Sequence, residues 1–181
     1  MVEYITRDRI QRNAGPLSEH ASVVRKAQAR SPQGSTFLSH STKDVDLLPG
    51  IIAILERHGA IVYVDKKDES LPPTTSRETA TILRGRIRQS HKFLLLTTKN
   101  SKDSRWMPWE LGLADGHKSP TSTAIFPGVD SAGDHTWAER EYLGIYDRVV
   151  YGDLQGYPSP VFMVYNQEKH SATELSAWLK A

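Results

Sequence analysis

The sequence predicts an α/β domain, a mainly parallel sheet sandwiched between helices. Three observations point there. From Ser35 onward, short apolar β-prone runs alternate with segments of helical periodicity. The run Lys92–Thr97 is nearly all apolar, as strands covered on both faces are. Each early strand is followed by a helix, the crossover that parallel neighbours need.

The elements follow in order. Thr36–Ser39 is short and apolar and reads as the first strand. A helix from about Asp44 to His58 carries Leu47, Leu48, Ile51, Ile52 and Leu55 at helical spacing, with Gly59 where a C-terminal cap belongs. Ala60–Val64 is a buried-type strand ending at Asp65, and Lys66–Thr75 is a polar loop holding Pro72 and Pro73. Ser76 opens a helix to about Gln89, with Glu78 in its first turn. Lys92–Thr97 is the third strand, followed by a helix over about Ser104–His117. Thr123–Pro127 and Arg148–Tyr151 are further strands, and a closing helix covers Ala172–Lys180. Residues 1–34 are set apart as an N-terminal helical extension, sparse in apolar residues, with one helix around Leu17–Ala29; residues 35–181 form the main domain. The extension reads as a solvated basic arm or as a docking segment.

Composition narrows the function. The 181 residues suffice for one domain with a real core. Lys and Arg number 23 against 21 Asp and Glu, too even a balance to make nucleic acid or an anionic membrane the main partner. The apolar runs are far too short for a membrane span, and the charged N-terminus does not resemble a signal peptide, so the cytosol is expected. The chain has no cysteine, which excludes disulfides, thiolate catalysis and Cys-based zinc sites. The seven His lack paired ligand spacing, so no metal is expected. There is no Gly-x-Ser-x-Gly elbow.

Three segments carry possible chemistry. Ser39-His40-Ser41-Thr42-Lys43-Asp44 follows the first strand, so its hydroxyls and backbone N–H groups face the carboxyl edge of the sheet, ahead of a helix N-terminus. It suits a phosphate, and equally a polar turn in which Ser or Asp caps a helix. In Trp106-Met107-Pro108-Trp109-Glu110, Trp106 and Glu110 share a helical face, while Trp109 and Leu113 share another that should point into the core. A carboxylate beside an indole near the strand ends is chemically suggestive; an amphipathic helix with one exposed Glu is the plainer reading. Asp65 with Lys66–Pro73 could hold a ribose hydroxyl and form a lid or contact surface, or be merely solvated.

The order FLSHSTKD, helix, IVYVD with a polar loop, KFLLLTTKNS and SRWMPWELGLA resembles a Toll/interleukin-1 receptor (TIR) domain, closest to the stand-alone domains of bacteria. The resemblance covers about Ser35–Val150. It implies a flavodoxin-like, five-stranded parallel sheet flanked by helices, and cleavage of NAD+ at the nicotinamide–ribose bond, with NAD+ as substrate and no further cofactor. Glu110 matches the family's catalytic glutamate and Trp106 the Trp four residues before it. Lys66–Pro73 matches the loop that borders the site and mediates assembly, so a homo-oligomer through TIR–TIR contacts is expected. Residues 1–34, residues 128–147 and the tail after Val150 fall outside the family's motifs.

The implied chemistry has a physical rationale. Nicotinamide leaves as a neutral molecule, so the bond breaks without acid assistance. A carboxylate near the ribose stabilises the developing oxocarbenium charge. The resemblance gives that role to Glu110 and sets Trp106 against the nicotinamide or ribose. Ser39, His40 and Ser41 would hold the diphosphate or ribose, with Phe37 and Asp65 lining the pocket. Water capture gives ADP-ribose; capture within the molecule gives a cyclic isomer, and exclusion of water decides between them. With no second domain in the sequence, the product is expected to be a diffusible signal read by a separate effector, as in antiviral defence. A non-enzymatic TIR scaffold acting by homotypic assembly and a nucleoside deoxyribosyltransferase-like enzyme are the alternatives.

Overall fold

The computed structural model describes residues 2–65, 76–101, 104, 106–134 and 141–181. Five parallel strands form its centre: β3 (Thr36–Ser39), β4 (Val62–Val64), β5 (Lys92–Thr97), β6 (Thr123–Val129) and β7 (Asp147–Gly152). Their spatial order is β4-β3-β5-β6-β7. Each neighbouring pair in that order is parallel. This is the five-stranded parallel sheet that the resemblance implies. All residues of β3, β5 and β6 are buried, which explains their largely apolar character.

Alternation along the strands divides the core into two layers. Leu38, Leu94, Leu96, Ala124 and Phe126 face α3 (Leu48–Arg57) and other helices on one side. Phe37, Phe93, Leu95 and Ile125 face α4 (Arg77–Gln89) and α5 (Trp106–His117) on the other. Local signals hold where the sequence placed them. Ser76 caps α4 by accepting the Thr79 N–H at 3.2 Å. Gly59 ends α3 at φ +93°, a conformation costly for any residue with a Cβ.

The sheet extends beyond the parallel centre. β8 (Val161–Asn166) returns antiparallel to β7, and β9 (Ser171–Glu174) pairs antiparallel with β8. The closing helix expected over Ala172–Lys180 is therefore shorter: α6 is Leu175–Lys180, and its first expected turn is strand. Glu174 caps it by accepting the Ala177 N–H at 3.1 Å.

The N-terminal residues contribute strands as well as helices. β6 and β7 pair only at their starts, Ala124 with Asp147 and Ile125 with Arg148. Beyond that point their free edges are taken by β1 (Val2–Glu3), antiparallel to β7 at Gly152 and Tyr151, and β2 (Ile5–Thr6), parallel to β6 at Gly128 and Val129. Thr6 then caps α1 (Arg7–Arg12), whose Ile10 is fully buried in the same core. α2 (His20–Ala29) packs along edge strand β4. Arg30 donates to the Val62 carbonyl at 3.0 Å, covering part of an edge that would otherwise be open.

Two lysines are partly withdrawn from water at the amino edge of the sheet. Lys92 donates to the Thr121 carbonyl at 3.2 Å beneath the Trp178 ring, and Lys118 donates to the Ser90 carbonyl. Burial, then the charge of Lys92, lowers Lys118 to about 8 from its ordinary 10.5, and burial lowers Lys92 as well. Below its ordinary value the unfolded chain holds protons that the folded chain gives up, so stability rises with pH from about 8 towards 10. Urea unfolding across that window is expected to show the rise, and Lys118→Met to show a smaller one.

Candidate active site

The chain order reverses at β3. It leaves β3 for β4 on one side, then returns to β5 on the other. In open α/β sheets the crevice above the carboxyl ends at such a point receives ligands. The turn after β3 and residues 98–101 after β5 flank it.

Glu110 reaches the carboxyl end of β3 at that point. The buried stripe of α5 is Met107, Glu110, Leu111 and Ala114, a three-four spacing that turns the carboxylate inward with the apolar residues. Glu110 is 2% exposed, and the Ser39 hydroxyl at the end of β3 donates to its Oε2. An amphipathic helix with an exposed Glu is thus excluded. Trp109 and Leu113 pack against the core as expected, though only half-buried beside the stripe, with Trp109 edge-to-face on Trp106 at 5.7 Å and under Arg84. Trp106, half-buried, lies one turn before Glu110. Ser104 helps start the helix by accepting the Met107 N–H at 3.3 Å. The loop Lys66–Pro73 lies outside the described residues.

The remaining residues fall around this pair. Phe37 lies two residues before Ser39, hence on the same sheet face. It is fully buried, stacked on Phe93 at 5.6 Å and tilted against Tyr63 at 5.5 Å, and forms the floor of the layer that holds α5. His40 and Ser41 are buried at the start of the turn, where Ser41 accepts the Lys43 N–H at 3.3 Å. Asp65 stands apart, beyond β4. Its Oδ1 accepts from the Tyr63 hydroxyl at 2.9 Å and pairs with Arg86 of α4. Burial and then the Asp65 carboxylate push the Tyr63 phenol upward, keeping it a donor. The structure thus brings Ser39 and Glu110 into contact, keeps Trp106 one turn away, and ties Asp65 to Tyr63 and to Arg86 of α4.

Sequence reasoning left Asp44 as a capping residue of a polar turn. It is instead fully buried. Its Oδ2 accepts from the Thr98 hydroxyl at 2.7 Å; its Oδ1 accepts from the Asn100 amide at 2.7 Å and from Arg7 at 3.3 Å. Arg7 also donates to Asp46 at 2.8 Å. The partners lie 37 to 56 residues away along the chain, so no local signal reveals them.

A carboxylate shielded from water and held by a hydroxyl, with an indole one helical turn away, can stabilise positive charge on a sugar ring beside it. Two known proteins are similar to this chain in sequence. A protein of Bacillus cereus (strain MSX-D12) provisionally named 3' cyclic ADP-D-ribose synthase ThsB' is 36% identical over 135 residues, 74% of this chain and 69% of that protein. A protein of Cytobacillus dafuensis provisionally named cyclic ADP-D-ribose synthase TIR2 is 32% identical over 78 residues, 41% of this chain and 21% of that protein. The family described as the TIR domain matches residues 36–158, from the first residue of β3 past the end of β7. With that match over most of its length and the parallel sheet that goes with it, the chain belongs to the TIR domain family.

Proposed function

We propose that this chain cleaves NAD+ at the nicotinamide–ribose bond and closes the remaining fragment into a cyclic ADP-ribose. The observation that carries the reading is Glu110, a buried carboxylate held by Ser39 at the point where the strand order reverses. The printed names of the two relatives support it. In the reaction the C1′–nitrogen bond breaks, and its electron pair leaves with neutral nicotinamide. Glu110 stabilises the ribosyl cation, and Ser39 holds the carboxylate in place. Trp106 borders the leaving group, and Ser41 with neighbouring backbone N–H groups faces the diphosphate. A nucleophile of the same molecule captures C1′ and loses a proton if it is a hydroxyl. Capture by water would give ADP-ribose instead.

The reading extends to context. The site works in the cytoplasm on cellular NAD+, is completed by a second copy through TIR–TIR contacts, and makes a signal for a separate effector in antiviral defence. No helix among the described residues is long and apolar enough to cross a membrane. The test is nicotinamide release from NAD+ by purified protein across a concentration series. Release is expected to rise more than in proportion to protein concentration. Ser39→Ala is expected to lower kcat by roughly ten- to a hundredfold, because the carboxylate loses an orienting donor. No release at any concentration would favour a scaffold.

A further inference from the structure

We propose that Asp44 is a positioning residue for the NAD+ site, and that through Arg7 it makes the N-terminal helix part of the site's frame. The step rests on the crevice being the NAD+ site. Asp44 lies in the 3-10 turn Thr42–Leu47 that follows Ser39-His40-Ser41, and the turn breaks from helical geometry at this residue (φ −114°, ψ 19°). The break carries the carboxylate across to the loop after β5. There it is met by Thr98 and Asn100 at 2.7 Å each, while the Thr98 hydroxyl accepts the Asn100 N–H at 3.0 Å. One fully buried charge thus joins both walls of the crevice.

A buried carboxylate is a costly way to join two loops. Its desolvation is offset only when good donors satisfy the charge, and apolar packing commonly does as well. A carboxylate gives what apolar packing does not, a fixed direction and distance between its donors. The third donor comes from outside the crevice. Arg7 is 23% exposed, opens α1, reaches Asp44 and Asp46, and lies 4.0 Å from Asp130 at the end of β6. α1 is itself fixed, since Thr6 pairs with β6 and Ile10 is buried against α3. The N-terminal segment therefore braces the crevice walls from behind.

The arrangement predicts which kinetic constant moves. Ser39 and Glu110 are set by β3 and α5 through the core, so the bound substrate is still processed when the walls loosen. Substrate binding suffers. Asp44→Ala is expected to raise KM for NAD+ about tenfold with kcat changed less than about twofold. Asp44→Asn keeps one acceptor oxygen for Asn100 and Arg7, so it is expected to recover much of the loss and guards against a folding failure of the alanine variant. Amide hydrogen exchange gives a readout that needs no substrate. Residues 41–47 and 98–101 should exchange faster together in Asp44→Ala, and to a lesser degree in Arg7→Ala, while 107–117 keep their protection. Unchanged KM, an equal fall in kcat, or loss of protection throughout the chain would overturn the positioning role. Absence of NAD+ cleavage by the unaltered chain would overturn the reading beneath it, and the exchange pattern would still decide whether Asp44 couples the two loops.

Discussion

Replacing Glu110 by Gln is expected to lower NAD+ cleavage by at least about 10²–10³-fold while leaving the fold intact, as removal of a preorganised electrostatic stabiliser does. Gln has nearly the shape of Glu, and its carbonyl oxygen can accept the Ser39 hydroxyl that now donates to the carboxylate. The charge is lost, and one acceptor oxygen becomes an NH2 donor. The charge is held at 2% exposure on a helix stripe otherwise made of Met107, Leu111 and Ala114, where a neutral group would cost less. Thermal stability is therefore expected to stay level or rise in the variant. That combination, lost turnover with undiminished stability, marks a side chain kept for chemistry. Retained turnover would reject Glu110 as the catalytic residue. A fall of many degrees in Tm would make it a structural one.

The second large effect concerns the N-terminal segment. Gly50 lies in α3 directly under α1, and a Cβ there would meet the Ile10 carbonyl oxygen at 2.1 Å and its carbon at 2.7 Å. Both are backbone atoms, so relief requires α1 to move. In an open helix position Gly→Ala would stabilise by roughly 0.5–1 kcal/mol. Here the sign is expected to reverse. Overpacking against a fixed backbone costs about 1–3 kcal/mol, which for a chain of this size lowers Tm by several degrees. Limited proteolysis should then cut within residues 7–12, because α1 is displaced. An increase in Tm would show that α1 leaves α3 at no cost, and the brace on the crevice would go with it.

The parallel centre of the fold was legible because each of its strands is an apolar run closed by a turn. The order of motifs around Ser39, Asp65 and Glu110 carried the family. Other features depend on distant partners. β1 and β2 are two residues each and exist only because β6 and β7 part and leave edges free. Asp44 and Arg148 are charges in polar or mixed segments, and their burial follows from Arg7, Thr98, Tyr4 and Gln167, all remote in sequence except the last. β8 is a different case. Val161-Phe162-Met163-Val164-Tyr165 is strongly β-prone, and Pro158 and Pro160 mark its start. That signal was present, but an antiparallel return lies outside the alternating logic of a parallel sheet. Ala172–Glu174 was absorbed into a helix for want of its partner β8. At the site, helical spacing alone put Trp106 and Glu110 on one face; the packing of α5 then decided that Glu110, and not Trp109, belongs to the buried stripe.

The account stands most directly on the identity of the second product of NAD+ cleavage. Purified protein at high concentration would be incubated with NAD+ beside Glu110→Gln, and both reactions read by mass spectrometry. The account predicts nicotinamide together with a species lighter than ADP-ribose by one water, both absent with Glu110→Gln. Nicotinamide with ADP-ribose alone would contradict the cyclisation, and the same products from Glu110→Gln would contradict the site.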